Sequence, residues 1–225
     1  MTRGVALALG LALVGCAAPG PLRDPLTAAE HNDLGVAYFE QGETRRAARE
    51  FERAVALRPD WARPLVNLGD ARLALGEVDG AIAAYRRAVL IAPDDPGTAN
   101  NLAWALLQDP ARWPEAEPII AGALARRPEP RGYYLDTLGA LRLRKGDSQG
   151  ALDAFRAALA DGALPGGRPR ALVLEHAGEA HARLGDEAAA VRCRALAAAE
   201  REKSAPGGPA GGSPIPLVGE PGSVC

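Results

Sequence analysis

Small and apolar residues recur along this chain in units of about 34 residues. Residues 34–38, LGVAY, align with residues 68–72, LGDAR, after 34 positions, and with residues 102–106, LAWAL, after another 34. Residues 138–139, LG, and residues 177–178, AG, continue the series after 36 and 39 positions. A repeat of this period predicts pairs of helices stacked into a solenoid.

The second half of each unit repeats as well. Together with the small residues of the first half, its pattern resembles the tetratricopeptide repeat (TPR) family. The resemblance implies an all-α fold, a right-handed TPR superhelical solenoid of about five helix-turn-helix repeats. The matching positions are Ala47, Phe51, Ala54 and Pro59; Ala81, Tyr85, Ala88 and Pro93; Ala116, Ile120, Ala123 and Pro128; and Ala151, Phe155 and Ala158.

Each recurring residue type has a physical role in such a unit. A small residue lets the first helix approach the second helix closely, and we expect the aromatic residue to fill the gap to the next unit. Proline stops the second helix from running on into the next unit. Residues 27–30, TAAE, indicate a capping box that opens the first helix of the array. The turn between the helices favours glycine in the left-handed conformation, at Gly42, Gly76 and Gly146.

The predicted repeat array covers residues 28–200. Its third unit needs one inserted residue, and Pro118 lies only one turn inside the second helix of that unit, so we expect this helix to start late or to bend. The last unit is degenerate, with Arg194 in place of the aromatic residue. The units are predicted at residues 28–61, 62–95, 96–130, 132–165 and 171–200.

The N-terminal residues 1–15 have the pattern of a secretory signal peptide. One basic residue, Arg3, precedes an apolar run that is too short to span a bilayer. Residues 13–16, LVGC, resemble the lipobox of bacterial lipoproteins, which implies cleavage before Cys16 and its modification with diacylglyceryl and acyl chains such as palmitate. Residues 16–27 would then be the lipidated cysteine and a flexible tether. The alternative is an ordinary signal peptide that happens to end at a cysteine.

The composition adds two limits. The chain has 26 basic and 28 acidic residues, a net charge of -2, so bulk electrostatics do not favour nucleic acid as a partner. Residues 201–225 are rich in glycine and proline and are expected to form a disordered tail. For the two cysteines near this end, Cys193 and Cys225, a disulfide and two unpaired thiols both remain open.

No motif for catalysis, for a cofactor or for a metal is present in the sequence. The three histidines, His31, His176 and His181, lie in different units or at a spacing that does not suit one metal site. Glu179 lies three residues after His176, but a surface or groove role is favoured for both. We therefore predict a protein without enzymatic activity. An enzyme would gain support only from a groove histidine with a shifted pKa beside a carboxylate.

The TPR resemblance implies that the first helices line a concave groove in which a peptide lies. Some TPR domains bind a C-terminal carboxylate with lysine, arginine and asparagine side chains. This chain keeps only Asn67 of that set, so binding of a chaperone tail is not favoured. A cap or a contact between repeats is the alternative role for each groove residue, and for Trp104 it is the favoured one. The predicted groove residues are Asn32, Phe39, Asn67, Asp70, Asn101, Trp104, Tyr133 and Asp136.

The predicted function is that of a lipid-anchored scaffold that binds a partner protein or peptide and assists assembly of an envelope complex, such as a pilus, secretion, polysaccharide-export or cell-wall machinery. If the host is Gram-negative, Ala17 after the lipidated Cys16 favours the outer membrane, with the protein facing the periplasm. The alternative is an accessory subunit that binds glycan or peptidoglycan, which Trp104, Tyr133 and Tyr134 suggest.

Overall fold

The computed structural model describes residues 25–203 and Cys225, and in this part of the chain it consists of helices without strands. The predicted signal peptide, Cys16 and most of the predicted tether and tail lie outside the described residues. The α-helices are α1 (Ala28–Glu40), α2 (Thr44–Leu57), α3 (Ala62–Ala74), α4 (Val78–Ile91), α5 (Pro96–Leu106), α6 (Trp113–Ala125), α7 (Gly132–Arg144), α8 (Ser148–Ala160), α9 (Arg168–Arg183) and α10 (Glu187–Lys203).

The helices pack as five consecutive pairs, each joined by a short turn, and each pair stacks on the next. The first helices α1, α3, α5, α7 and α9 also contact one another from pair to pair, whereas the second helices make no comparable contacts in the described residues. The first helices therefore line the inner side of the curve, which we call the groove. The predicted all-α repeat solenoid is confirmed.

Glycine and an aromatic ring set the spacing within three of the pairs. A methyl group on Gly35, Gly69 or Gly139 would overlap the ring of Phe51, Tyr85 or Phe155, which lies in the second helix of the same unit. The sequence had suggested that the ring fills the gap to the next unit. In the structure it also fills space between the two helices of its own unit. Phe51 also belongs to a buried cluster with Leu68 and Ala71 of the following unit.

The turns and the first cap have the predicted geometry. Gly42, Gly76 and Gly146 adopt φ angles of 77°, 78° and 88°, in the left-handed region where a side chain is strained. The hydroxyl of Thr27 accepts from the backbone N–H of Glu30, and the carboxylate of Glu30 accepts from the N–H of Thr27. Both predictions, the left-handed glycines and the capping box, are confirmed.

The third pair departs from the prediction at its second helix. This helix, α6, begins at Trp113, before Pro118, so of the two expected outcomes the late start is not observed, and the bend stays a prediction. The inserted residue is absorbed in the connection, where a short 3₁₀ helix, Pro110–Arg112, is capped by Asp109. The indole N–H of Trp113 donates to the carbonyl of Leu107 at 3.2 Å and fixes the start of α6 against α5.

The last pair is longer than predicted and is closed by a disulfide. Helix α9 begins at Arg168 and α10 ends at Lys203, so the helical array runs three residues past the predicted end at residue 200. Cys193 packs beside Gly178, next to the position that an aromatic residue takes in other units. A disulfide joins Cys193 to Cys225, which decides between the two alternatives that the sequence left open. Among the described residues, no helix is long and apolar enough to cross a bilayer.

Candidate functional site

Polar side chains pair across two of the four junctions between successive first helices. At the first and the last junction, counted from the start of each unit, the fifth residue of one unit meets the sixth residue of the next. Nδ2 of Asn67 donates to Oδ1 of Asn32 at 2.8 Å, and Nδ1 of His176 lies 2.8 Å from Oδ1 of Asp136. We call these contacts the junction pairs, and they run along the floor of the groove.

The first junction pair involves two of the predicted groove residues. Asn32 is 3% exposed, and its amide both accepts from Asn67 and donates to Asp33. Its hydrogen-bonding groups are therefore used within the protein. The structure places Asn32 and Asn67 in an inter-repeat contact, the alternative role that the sequence had left open for them.

Asp70, another predicted groove residue, accepts a hydrogen bond from Tyr85 of α4. The phenol of Tyr85 passes Gly69 and donates to Oδ1 of Asp70 at 2.6 Å. Burial raises the pKa of Asp70, although the hydrogen bond from Tyr85 opposes the rise. Burial and the neighbouring carboxylate both raise the pKa of Tyr85. Sequence reasoning missed this pair; the signal was the hydroxyl of Tyr85 where the first and fourth units carry phenylalanine.

Asp136 and His176 form the last junction pair, and two aromatic side chains lie next to it. The imidazole lies 5.8 Å from the ring centroids of both Trp104 and Phe155. Burial alone would lower the pKa of His176, but the hydrogen bond and the charge of Asp136 outweigh it, and the pKa is raised. His176 was not among the predicted site residues.

This histidine meets the condition that would favour an enzyme, a shifted pKa beside a carboxylate. Two observations support a structural role instead. Asp136 and His176 occupy the same junction places as Asn32 and Asn67, and the imidazole is flanked by aromatic rings rather than by a nucleophile in the described residues. The pair therefore fits the repeat pattern of the groove.

Trp104 is flanked on its other side by Arg144 of α7. The guanidinium carbon lies 5.6 Å from the centre of the indole, within the range of a cation–π contact. Nη1 of Arg144 is inaccessible to solvent and has no hydrogen-bond partner in the described residues. Burial lowers the pKa of Arg144, Glu179 opposes that shift, and the nearby Arg183 adds to it. Sequence reasoning missed Arg144, because an isolated basic residue at the end of a helix carries no motif.

The remaining predicted groove residues are open to a ligand to different degrees. Phe39 is 38% exposed and Tyr133 is 41% exposed, and Val36 lies one turn before Phe39 at 36%. Asn101 is partly buried and makes no hydrogen bond that involves another described residue. The groove thus combines exposed apolar groups at two places with a polar floor.

No group of three or more His, Cys, Asp or Glu side chains suited to a metal ion occurs in residues 25–203. The site is therefore described by its hydrogen bonds, ion pairs and aromatic contacts alone.

Five stacked helix pairs and a groove lined by their first helices define a helical-repeat scaffold. A family model described as Tetratricopeptide repeat matches residues 32–96, the first two pairs. The Hsp70-Hsp90 organizing protein of Triticum aestivum is 34% identical over 86 residues, which are 37% of this chain and 15% of that protein. Protein FlbA of Caulobacter vibrioides is 31% identical over 122 residues, 54% of this chain and 20% of that protein. The matched regions thus span a fifth or less of these relatives.

Solved structures share the fold at low sequence identity. The APC/C hetero-tetramer Cut9-Hcn1 matches 80% of this chain and 35% of that chain, with 21% identity and a TM-score of 0.69. A thermophilic TPR protein of Thermus thermophilus matches 79% of this chain and 93% of that chain, with 21% identity and a TM-score of 0.67. MamA of Desulfovibrio magneticus has a TM-score of 0.59, with 17% identity over 79% of this chain and 96% of that chain.

The family model supports the tetratricopeptide repeat family for the first two pairs, and the solved structures show that the solenoid as a whole shares their fold. TPR proteins are generally non-catalytic scaffolds, and these matches fit a protein-binding role. The similarity to an Hsp70-Hsp90 organizing protein does not add the cationic side chains that bind a C-terminal carboxylate. The corresponding places hold Asn32, Val36, Asn67, Gly97 and Asn101.

Proposed function

We propose that this protein is an adaptor that holds an extended or helical segment of a partner protein in its groove. The observation that carries the proposal is the distribution of exposed groups along the first helices. Phe39 and Val36 at one end and Tyr133 further along present apolar surface, and Asn101, whose amide makes no hydrogen bond to another described residue, lies in a unit between them. Exposed apolar anchors with an available amide suit a peptide, because the anchors supply affinity and the amide can orient its backbone.

The relatives support this function by their names. One is named as an organizing protein for Hsp70 and Hsp90, and one structural neighbour was solved as the hetero-tetramer Cut9-Hcn1 of the APC/C. The N-terminal sequence of this chain is the basis for proposing that its partner belongs to an envelope complex.

We further propose that Cys16 carries a lipid anchor and that the solenoid faces the periplasm from the outer membrane. Support comes from the lipobox-like residues 13–16 and from the apolar run before them. Two or three acyl chains are needed for stable attachment, since one chain binds a bilayer only marginally. The tether would leave the groove accessible to a partner at the membrane.

A test of the anchor compares the wild-type protein with Cys16→Ser. The wild type is expected in the membrane fraction and to incorporate labelled palmitate, whereas the variant is expected in the soluble fraction with an unchanged circular dichroism spectrum. A variant that remains in the membrane fraction without label contradicts the anchor and leaves the groove proposal standing.

Binding of glycan, the alternative, has less support from the aromatic residues that suggested it. Tyr134 is 9% exposed, and the ring of Trp104 already contacts Arg144 and His176. Only Tyr133 of the three is open, and a single ring is a poor platform for a sugar chain.

The groove is tested by photo-crosslinking in cells. A photoreactive residue at position 101 or 133 is expected to capture one protein, whereas the same residue at position 87, exposed on the second helix α4, is not. The double variant Phe39→Ala with Tyr133→Ala is expected to reduce capture. Leu90→Ala is the matched control, since it removes apolar surface that is 82% exposed outside the groove. Equal capture at positions 101 and 87, or none at any groove position, would overturn the proposal.

A further inference from the structure

The helix ends form two opposite edges of the solenoid. Helices joined by short turns run antiparallel, so each first helix begins at the edge where each second helix ends. Two hydrogen bonds join such ends directly. The N–H of Gly132, at the start of α7, donates to the carboxylate of Asp161, after α8, at 2.6 Å. The N–H of Gly167, before α9, donates to Glu200 in the last turn of α10 at 2.8 Å. We call this side, the starts of the first helices and the ends of the second helices, the entry edge.

Exposed apolar side chains lie at the entry edge in the first two units. Leu57 and Ile91 are the last residues of α2 and α4, and they are 54% and 38% exposed. Leu90, beside Ile91, is 82% exposed, more than any other large apolar side chain among the described residues. Trp61, directly before α3, adds a partly exposed indole. Exposed apolar groups gathered at one edge mark an interaction surface.

Arginines lie one helical turn further from the edge than these apolar side chains. Arg53 stands four residues before Leu57, and Arg87 has the equivalent place before Ile91. Both arginines are exposed, and residues four apart share a face of a helix at a distance of about 6 Å along its axis. This order suits a bilayer interface, because aliphatic groups enter the acyl region while guanidinium groups stay at the level of the phosphates.

The other polar groups of the entry edge are mixed in charge. The guanidinium carbon of Arg58 lies 4.2 Å from the ring centre of Trp61, which places a cation beside the type of side chain that is enriched at bilayer interfaces. Asp94 lies 3.9 Å from Arg126, and Asp60 follows Arg58 in the same turn. We therefore expect apolar contact, and not bulk charge, to supply most of the affinity for a membrane.

The position of Cys16 favours a lipid surface over a protein as the partner of this edge. Residues 17–24 join Cys16 to Pro25, and a chain of this length spans at most about 30 Å. The chain enters α1 at its capped start, which belongs to the entry edge. An anchor at Cys16 thus brings this edge, and not the opposite one, to the bilayer. Tethering raises the local concentration of lipid, so a small apolar surface is enough to bind.

We propose that the entry edge docks on the bilayer, with Leu57, Leu90 and Ile91 among the acyl chains and Trp61 at the level of the headgroups. The docking surface rests on the proposed anchor at Cys16 and defines the orientation of the anchored solenoid. The helices then stand on the membrane, and the stacking axis runs parallel to it. The groove opens sideways, toward a partner held at the same surface.

The test reconstitutes the full-length wild-type protein in vesicles of phosphatidylethanolamine and phosphatidylglycerol in which part of the acyl chains carry bromine. Bromine quenches tryptophan fluorescence at short range only. We expect quenching in the wild type and its loss in Trp61→Phe, which keeps an aromatic ring. Trp113→Phe is the matched control, since Trp113 begins α6 at the opposite edge, and its quenching should equal that of the wild type.

A pair of serine variants tests the aliphatic side chains. Leu90→Ser with Ile91→Ser is expected to abolish most of the quenching. In the Cys16→Ser background it should lower the partition coefficient into the same vesicles by at least about tenfold, as exposure of two large apolar side chains predicts. Leu184→Ser with Val191→Ser is the matched control, because these side chains are 49% and 54% exposed near the opposite edge. Circular dichroism establishes that each variant is folded, and residues 1–15 are unchanged in all of them.

The outcomes separate the docking surface from the anchor. If the wild type incorporates palmitate but shows no quenching, or if Trp61→Phe is quenched equally, the docking surface is overturned and the anchor stands. If the wild type incorporates no palmitate, the anchor fails, and quenching of Trp61 at raised lipid concentration still tests the edge. Equal effects of the two serine pairs, or capture of a protein rather than lipid by a photoreactive residue at position 90 in cells, would also contradict the docking surface.

Discussion

At the scale of single residues, the size of the first-helix residue that faces the aromatic side chain sets how closely the two helices of a pair pack. Three units have glycine there, at Gly35, Gly69 and Gly139, and the ring of the second helix occupies the space that a methyl group would need. The third unit has Ala103, and the larger side chain is matched by Ile120 in place of a ring, with both residues fully buried. Volume is therefore balanced across each pair.

Gly69→Ala is expected to lower the free energy of unfolding by about 1–3 kcal/mol, since the added methyl group overlaps the ring of Tyr85. Urea denaturation measures the change. Gly122→Ala is the control: it also lies in a helix but meets no atom within 4 Å, so it should stabilise by about 0.5–1 kcal/mol through helix propensity alone. Equal effects of the two substitutions would contradict the packing argument.

The pair of Asp136 and His176 should make stability depend on pH. Because the pKa of His176 is raised in the folded protein, its contribution is complete below the unfolded value of about 6.5 and is lost as pH rises through the folded pKa. The loss of stability caused by His176→Gln should therefore be larger at about pH 5.5 than at about pH 8.5. Asp136, Glu179 and Arg144 are the charged groups that act on this imidazole.

His181→Gln serves as the control with the opposite sign. Burial lowers the pKa of His181, so its neutral form is favoured in the folded protein and any contribution is lost as pH falls. The measurement is chemical denaturation of the wild type and both variants at the two pH values. An effect of His176→Gln that is the same at both would contradict the predicted linkage.

At the scale of helices, local signals set most of the ends, and one helix tolerates an unfavourable residue. Glycines in the left-handed conformation end the first helices, and Thr27 and Asp95 cap α1 and α5. Helix α6 instead contains Pro118 in its second turn, where proline lacks the N–H that would donate to the preceding turn. Packing of Ala116, Ile120 and Ala123, all buried, maintains the helix across it.

Pro118→Ala should therefore raise the free energy of unfolding by roughly 2 kcal/mol. Proline inside a helix costs about 3 kcal/mol relative to alanine, and the freer unfolded chain takes back about 0.4–1 kcal/mol. Pro96→Ala, at the first turn of α5 where proline is well tolerated, is the matched control and should lower stability by about 0.4–1 kcal/mol, because only the unfolded chain gains freedom there. Thermal unfolding measures both; a destabilised Pro118→Ala would show that the ring of Pro118 is required.

At the scale of the whole molecule, the solenoid is a row of neighbouring contacts, and among the described residues the pair of α9 and α10 stacks only on α7 and α8. The disulfide between Cys193 and Cys225, 32 residues apart, joins Cys225 to α10. Nε of Arg192 also donates to the carbonyl of Cys225 at 2.9 Å. These contacts stabilise the last described pair.

Cys225→Ser is expected to destabilise the oxidised protein by about 4 kcal/mol, as closure of a loop of this length predicts. The measurement is thermal unfolding with and without reductant; the reductant should lower the stability of the wild type and leave Cys225→Ser unchanged. Thiol labelling of the unfolded, unreduced wild type should find neither cysteine free. If both cysteines label, the disulfide is absent in solution.

The repeat period, the small and aromatic positions and the turn residues together determined the helical solenoid, its turns and the position of its groove. These features follow from short segments of chain, because helix propensity, left-handed glycines and caps act within a few residues. The same local reasoning expected α6 to start late or to bend at Pro118; the helix begins at Trp113, where the indole donates a hydrogen bond to Leu107, and buried side chains hold it across the proline.

Only the tertiary structure decided which groove side chains meet. Asn67 is 35 residues from Asn32 and His176 is 40 residues from Asp136, and each pair forms because stacking brings equivalent places of successive units together. The contact of Arg144 with Trp104 and the disulfide of Cys193 likewise depend on distant segments. By itself the sequence determined the series of helix pairs and their turns, because the signals for these features are local. The tertiary structure decided which side chains meet in the groove, because contacts between units have no local signal.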